Sequence, residues 1–222
     1  MIIETAHAKI NFTLSVGSKR ADGYHSIDSL MHSISLSDRI TLTKAEAITL
    51  SVTEGEAPLG RENLMVRAAE RFFEETGLSG GVSMTLAKRI PSEAGMGGGS
   101  SDAAALLRGL ARLYETDLSL ATLARWGASL GADIPFCVAA GAARCQGIGE
   151  KLTPLTPWAH LPLVILRPPV SVSTGKAYQL LDHMGKRPAE CGRHRYVSGR
   201  RKMDRDVQNV LLGTGVYGAL SE

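Results

Sequence analysis

The stretch from Ile90 to Leu110, IPSEAGMGGGSSDAAALLRGL, restricts the fold of this chain more than any other. Ahead of it Val82, Met84 and Leu86 alternate with small or polar residues, the period of a strand with one buried face. Pro91 breaks that run, Gly95, Gly97, Gly98 and Gly99 follow closely, and Leu106, Leu107, Leu110 and Leu113 return at helical spacing. The expected order is strand, glycine-rich loop, helix. Residues without a Cβ let a ligand approach the backbone, and Ser100 or Ser101 is placed to cap the helix. The first-turn N–H groups lack intrahelical partners at the positive end of the helix dipole, which suits a phosphate. No Gly-Lys-Ser/Thr follows, so this is not a Walker A loop, and the last glycine of the dinucleotide fingerprint is missing.

The 222 residues, 44% of them hydrophobic, suffice for one substantial core or two small ones. No apolar run approaches the roughly 18 residues of a membrane span. The opening MIIETAHAKI carries Glu4 where a signal peptide would be basic and then continuously apolar. A cytoplasmic protein with no membrane partner is therefore expected. Cys137, Cys145 and Cys191 are odd in number and lack metal-ligand spacing, so they read as free thiols. Residues 1–182 hold 17 Lys and Arg against 18 Asp and Glu, a net of −1, whereas residues 183–222 hold 8 against 4, a net of +4. With a single aromatic before Tyr217 and no amphipathic period, that basic tail reads as a solvated segment, and no nucleic-acid partner is expected.

In chain order, Ala8 to Val16 alternates so that Ile10, Phe12, Leu14 and Val16 form a buried strand face and Lys9, Asn11, Thr13 and Ser15 a wet one. Asp22-Gly23 is a turn signal, with Tyr24 and His25 just beyond it. Residues 38–53 supply two alternating strands, through Ile40 and Leu42 and then Ile48, Leu50 and Val52. Asn63 is an N-cap for a helix that ends at Gly77, and Ser119 caps another with Leu120, Leu123 and Ala124 inward and Gly131 at its end. Asp133 is the only charge between Arg125 and Arg144, either a turn former or a retained functional group. Leu161 to Leu166 is an apolar run suited to a buried strand.

The whole string PSEAGMGGGSSDAAA resembles the second motif of the GHMP kinases, the superfamily of galactokinase, homoserine kinase and mevalonate kinase. By that resemblance Pro91, Gly95, Gly97, Gly98, Gly99, Ser100 and Ser101 wrap the phosphates of ATP. AKINFTL and RADGYHSIDSLMHSISLSDRI are similar to the opening of the branch whose substrate carries a cytidine. The resemblance places Lys9, Asn11, Tyr24 and His25 in the substrate site, with Tyr24 and His25 holding the cytidine, and Asn63 and Lys88 beside the adenosine. SLGADIPF followed by GAARCQGIGEKL resembles the signature whose aspartate is the general base, here Asp133. Thr174 and Tyr178 fall where the family has a polar contact and an aromatic against the cytosine, though a helix cap and a core residue serve as well.

Phosphoryl transfer needs an in-line hydroxyl, charge stabilisation and a proton acceptor. Asp133 would take the proton, and Lys9 would polarise the hydroxyl or keep Asp133 ionised. Magnesium is expected with ATP, held mainly by phosphates and water, and no protein metal ligand is assigned. The partner is then a small cytidine diphosphate substrate, and the protein a monomer or homodimer. The resemblance implies an α+β GHMP kinase fold: residues 1–158 form a ribosomal-protein-type ATP-binding domain, and residues 159–222 an incomplete ferredoxin-like second domain with a divergent basic tail. Beyond Asp182 the resemblance ends, and Gly213-Thr214-Gly215 does not replace the family's third glycine-rich motif. The chain is thus expected to be a truncated, frameshifted or divergent product. Another small-molecule GHMP kinase and a catalytically impaired nucleotide-binding protein remain the alternatives.

Overall fold

The computed structural model describes residues 1–166, 177–179 and 182. Its elements are β1 (Ile2–Lys19), β2 (His25–Ala45), β3 (Thr49–Glu54), α1 (Leu64–Thr76), β4 (Gly81–Ala87), α2 (Gly98–Leu113), α3 (Leu120–Ala128), α4 (Ile134–Ala139), β5 (Ala142–Gly147) and β6 (Lys151–Leu155). This is an α+β domain.

The six-stranded sheet is built on β2. β1 runs antiparallel along nearly all of it, joined through the expected turn, where Asp22 Oδ1 accepts from Tyr24 N at 3.1 Å. The other edge of β2 is shared, β4 pairing with residues 39–45 and β5 with residues 27–32. β3 lies parallel to β4, and β6 closes the opposite end beyond β5. The sequence pattern finds only the second half of β2. In its first half Leu30 and Met31 are both buried next to the fully buried Ser29, so the two-residue period is lost.

The core lies between this sheet and the helices. Met65, Ala68, Ala69 and Phe72 form the inner face of α1, which Asn63 caps by accepting from Met65 N at 2.9 Å. α2 is buried nearly all round from Ser101 to Leu113, with Arg108 and Arg112 as its less buried positions. Ser119 caps α3 by accepting from Thr122 N, but Leu120 is half exposed rather than inward, and the helix stops at Ala128, before Gly131.

Three further expectations are corrected. β1 does not alternate cleanly: its register shifts between His7 and Lys9 and again between Asn11 and Thr13, and Lys9, Ile10 and Asn11 are all buried. Phe12, Leu14 and Val16 are only partly covered. Neither Ser100 nor Ser101 caps α2, because the helix starts at Gly98, with Gly97 at the cap and no side-chain capping bond. Residues 161–166 form no strand, and Leu161, Leu163, Val164 and Leu166 are exposed. Pro162 has no N–H to give a ladder. Ile165 does pack on the small cluster of Ala8, Ile90 and Met96.

Candidate active site

Lys9 and Asn11 come together because β1 is irregular. Lys9 Nζ donates to Asn11 Oδ1 at 2.7 Å, Asn11 Nδ2 to Ser29 Oγ at 2.7 Å, and Ser29 Oγ to Thr13 O at 2.7 Å. This buried relay fixes the lysine rotamer. Its ammonium lies 3.4 Å from Asp133 Oδ2. Asp133 sits at the N-cap position of α4 without making a capping bond, and its side chain is 32% exposed. A carboxylate at such a terminus usually caps; this one faces Lys9 and solvent, so it is open to an incoming hydroxyl.

The glycine loop folds over the same place. Lys9 N donates to Met96 O at 3.0 Å, and Ser101 Oγ donates to His7 O, so both sides of the loop are tied to β1. Gly97 has φ 67°, and a Cβ there would lie 3.0 Å from Lys9 Cγ. At Gly98 a Cβ would lie 2.9 Å from Lys88 Nζ and 3.0 Å from Ile90 Cγ2. These glycines therefore answer to left-handed backbone and to close side chains beneath. Ser100 adjoins the Asp133 turn, its Oγ 3.7 Å from where a Gly131 Cβ would stand. Loop, lysine and aspartate thus lie side by side.

Lys88 and Asn63, the two residues expected beside adenosine, have their polar atoms engaged. Asn63 accepts from Met65 N and donates to Pro58 O at 2.7 Å. Lys88 Nζ is held between Asp38 and Asp102, at 2.7 Å from Asp102 Oδ2. The sequence pattern marks neither acid as part of the site. A carboxylate one turn into a helix that opens on a phosphate-type loop opposes an anion unless a cation neutralises it, and that anomaly was the available signal.

Burial pushes the Asp102 carboxyl from its ordinary 3.8 up to about 7, with Lys88 pulling it down and Asp38 adding to the rise. Folding therefore tightens its hold on a proton. The associated stability is present in full below about pH 3.8 and is lost as pH rises through about 7. Urea unfolding from about pH 4 to 8 should show the parent falling behind Asp102→Asn by a few kcal/mol across that window. Parallel stability curves would show that Asp102 does not titrate this way.

On the substrate side His25 is buried, with Nδ1 3.1 Å from Gly17 O and Nε2 3.0 Å from Asp182 Oδ1. Tyr178 stacks on its ring at 5.3 Å between centroids and 12° between planes. Burial pushes the Tyr178 phenol up and the Asp133 carboxylate adds to the shift, so this ring lies in the field of the same cleft. Asp182 also meets Lys19 at 2.8 Å, which ties this part of the chain to the β1–β2 hairpin. Tyr24 is 57% exposed and makes no ring stack among the described residues. Thr174 lies outside the described residues, as does Cys191. Cys137 and Cys145 are free and buried, their thiols pushed up to about 12 chiefly by burial. Among the described residues no group of His, Cys, Asp and Glu could by itself hold a metal ion, and no helix is long and apolar enough to cross a membrane.

Residues 63–141 match the GHMP kinases N terminal domain. The chain is 44% identical over 173 residues to the 4-diphosphocytidyl-2-C-methyl-D-erythritol kinase of Carboxydothermus hydrogenoformans, covering 78% of this chain and 60% of that relative. It is 43% identical over 211 residues to the kinase of the same name from Moorella thermoacetica, covering 94% of this chain and 74% of the relative. A match of that extent passes Asp182, the expected end of the resemblance. A solved 4-(cytidine 5'-diphospho)-2C-methyl-D-erythritol kinase matches with TM-score 0.65 at 40% identity, over 80% of this chain and 63% of that one. The Methanococcus jannaschii mevalonate kinase, at 14% identity and TM-score 0.54, shares the fold. The chain spans about three fifths of the length of the first of these curated relatives.

Proposed function

Because the chain belongs to the family of 4-diphosphocytidyl-2-C-methyl-D-erythritol kinases within the GHMP kinases, we propose that it transfers the γ-phosphoryl group of ATP to the 2-hydroxyl of that diphosphocytidyl alcohol, in non-mevalonate isoprenoid precursor synthesis. The observation that carries the reading is the Lys9–Asp133 pair, 3.4 Å apart, beside a glycine loop hydrogen-bonded to Lys9's own backbone. Asp133 accepts the proton of the 2-hydroxyl, leaving the oxygen to attack phosphorus. Lys9, held by Asn11, stabilises negative charge on that oxygen. Backbone N–H groups at the loop and the start of α2 receive the phosphates. Residues 1–158 carry the ATP-binding domain, and residues 159–222 contribute to the second.

The Asp133 carboxylate, part-exposed beside Lys9, suits a magnesium ion held mostly by phosphates and water; bound there, the ion would neutralise charge on the transferring group. The adenosine lies toward Asn63 and Lys88. The cytidine lies toward the hairpin tip, with Tyr24, His25 and Tyr178 around it. The reading carries with it a cytoplasmic enzyme acting as a monomer or homodimer.

ADP release tests the reading. The chain with Mg-ATP should release ADP with the diphosphocytidyl alcohol and not with plain polyols, homoserine or mevalonate. Turnover on one of those others instead would make it a different GHMP kinase, and nucleotide binding without turnover on any would make it an impaired one. The base pocket has its own signature. Alanine at Tyr24 should raise the KM for the cytidine substrate about tenfold, and alanine at both Tyr24 and His25 more, while the KM for ATP stays within about twofold. Equal changes in both KM values would place the loop outside the cytidine site.

A further inference from the structure

The geometry points to Asp38, Lys88 and Asp102 as a buried clamp across the base of the glycine loop, positioning residues that preset its backbone for the nucleotide. The inference rests on the kinase reading for what the loop binds, but not for the clamp itself. Residues 91–101 include Gly95, Gly97, Gly98 and Gly99, and such a segment is costly to order. If binding had to order it, the cost would come out of affinity.

The structure holds both ends of that segment. At its entry Asp38, 1% exposed, reaches from β2 to accept from the N–H groups of Arg89 and Ile90, the latter at 2.8 Å. The same carboxylate pairs with Lys88 Nζ. At the exit Asp102, 3% exposed and inside α2, accepts from Lys88 Nζ at 2.7 Å. One ammonium thus joins strand β2, the residues leading out of β4 and the first part of α2, directly beneath Gly98. The other Asp102 oxygen, Oδ1, is buried with no hydrogen-bond partner among the described residues. A buried acceptor left over is a cost with no return in packing, which fits a group kept for its hold on Lys88. Lys88 in turn cancels negative charge where phosphates would sit. It acts on the nucleotide through the loop, since its ammonium is already enclosed by the two carboxylates.

The test compares Asp38→Asn, Asp102→Ala and Asp102→Asn with the parent chain. Asparagine at 102 keeps an oxygen for Lys88 and alanine does not. Amide hydrogen exchange over residues 89–101 is read against residues 64–76 of α1, and binding of a non-hydrolysable ATP analogue with magnesium is titrated. Asp38→Asn and Asp102→Ala should speed exchange over 89–101 about tenfold, leave α1 unchanged and weaken the analogue about tenfold, the effect of losing one charge-assisted hydrogen bond. Asp102→Asn should restore both readouts to within about twofold of the parent. Unchanged loop exchange in Asp38→Asn and Asp102→Ala overturns the clamp, as does equal speeding over both segments, which marks a general packing role. A parent that binds no ATP analogue refutes the kinase reading instead, and the exchange comparison still decides the clamp.

Discussion

Asp133→Asn should lower turnover by two to four orders of magnitude, roughly, with the affinity for Mg-ATP nearly unchanged. The amide is close in shape to the carboxylate and keeps an oxygen for Lys9, 3.4 Å away in the parent, so the cleft should hold its form. What it cannot do is accept a proton at neutral pH. The expected loss is therefore confined to the chemical step, and single-turnover kinetics should slow as much as the steady state. Near-normal turnover in the variant would remove Asp133 from the mechanism.

Lys9→Met should separate activity from stability. The ammonium is buried, and its surroundings are built for it: Asn11 Oδ1 accepts from it and Asp133 lies beside it. Methionine keeps an unbranched stem against Gly97, and the backbone bond from Lys9 N to Met96 O needs no side chain. Asp133, 32% exposed, can be rehydrated once the ammonium is gone, which limits the cost of breaking the pair, and Asn11 loses one donor, a cost of about 1–2 kcal/mol. Turnover should nonetheless fall by about two to three orders of magnitude, the effect of removing a positioned donor from developing charge. A fall in melting temperature that accounts for the whole loss of activity would reduce Lys9 to a structural residue.

The parts of this protein that local pattern specifies were legible in the sequence. The alternation of Val82, Met84 and Leu86, the glycines, and the leucines of α2 gave the strand–loop–helix unit in the right order. Asn63 and Ser119 marked helix starts because capping is a local bond. Asp133 stood out as an isolated charge, and the structure sets it against Lys9. What the pattern concealed depends on distant chain. The irregularities in β1 carry Lys9 and Asn11 into the interior, and a bulge leaves no mark in a two-residue period. Asp38 reads as an ordinary polar position on a strand until residues 88–90 arrive from β4 to surround it. Leu161 to Leu166 is apolar enough for a strand, yet hydrophobicity alone names no neighbour to pair with, and in the structure only Ile165 finds a packing site on the main body.

The central claim is that this cleft moves a phosphoryl group from ATP to an alcohol. Phosphorus NMR of the parent chain with Mg-ATP and 4-diphosphocytidyl-2-C-methyl-D-erythritol tests it most directly. The account predicts a new phosphomonoester resonance growing in step with ADP, coupled to carbon at the 2-position, and absent with Asp133→Asn. ADP accompanied only by inorganic phosphate, or no loss of ATP from a chain shown to bind it, would contradict the account.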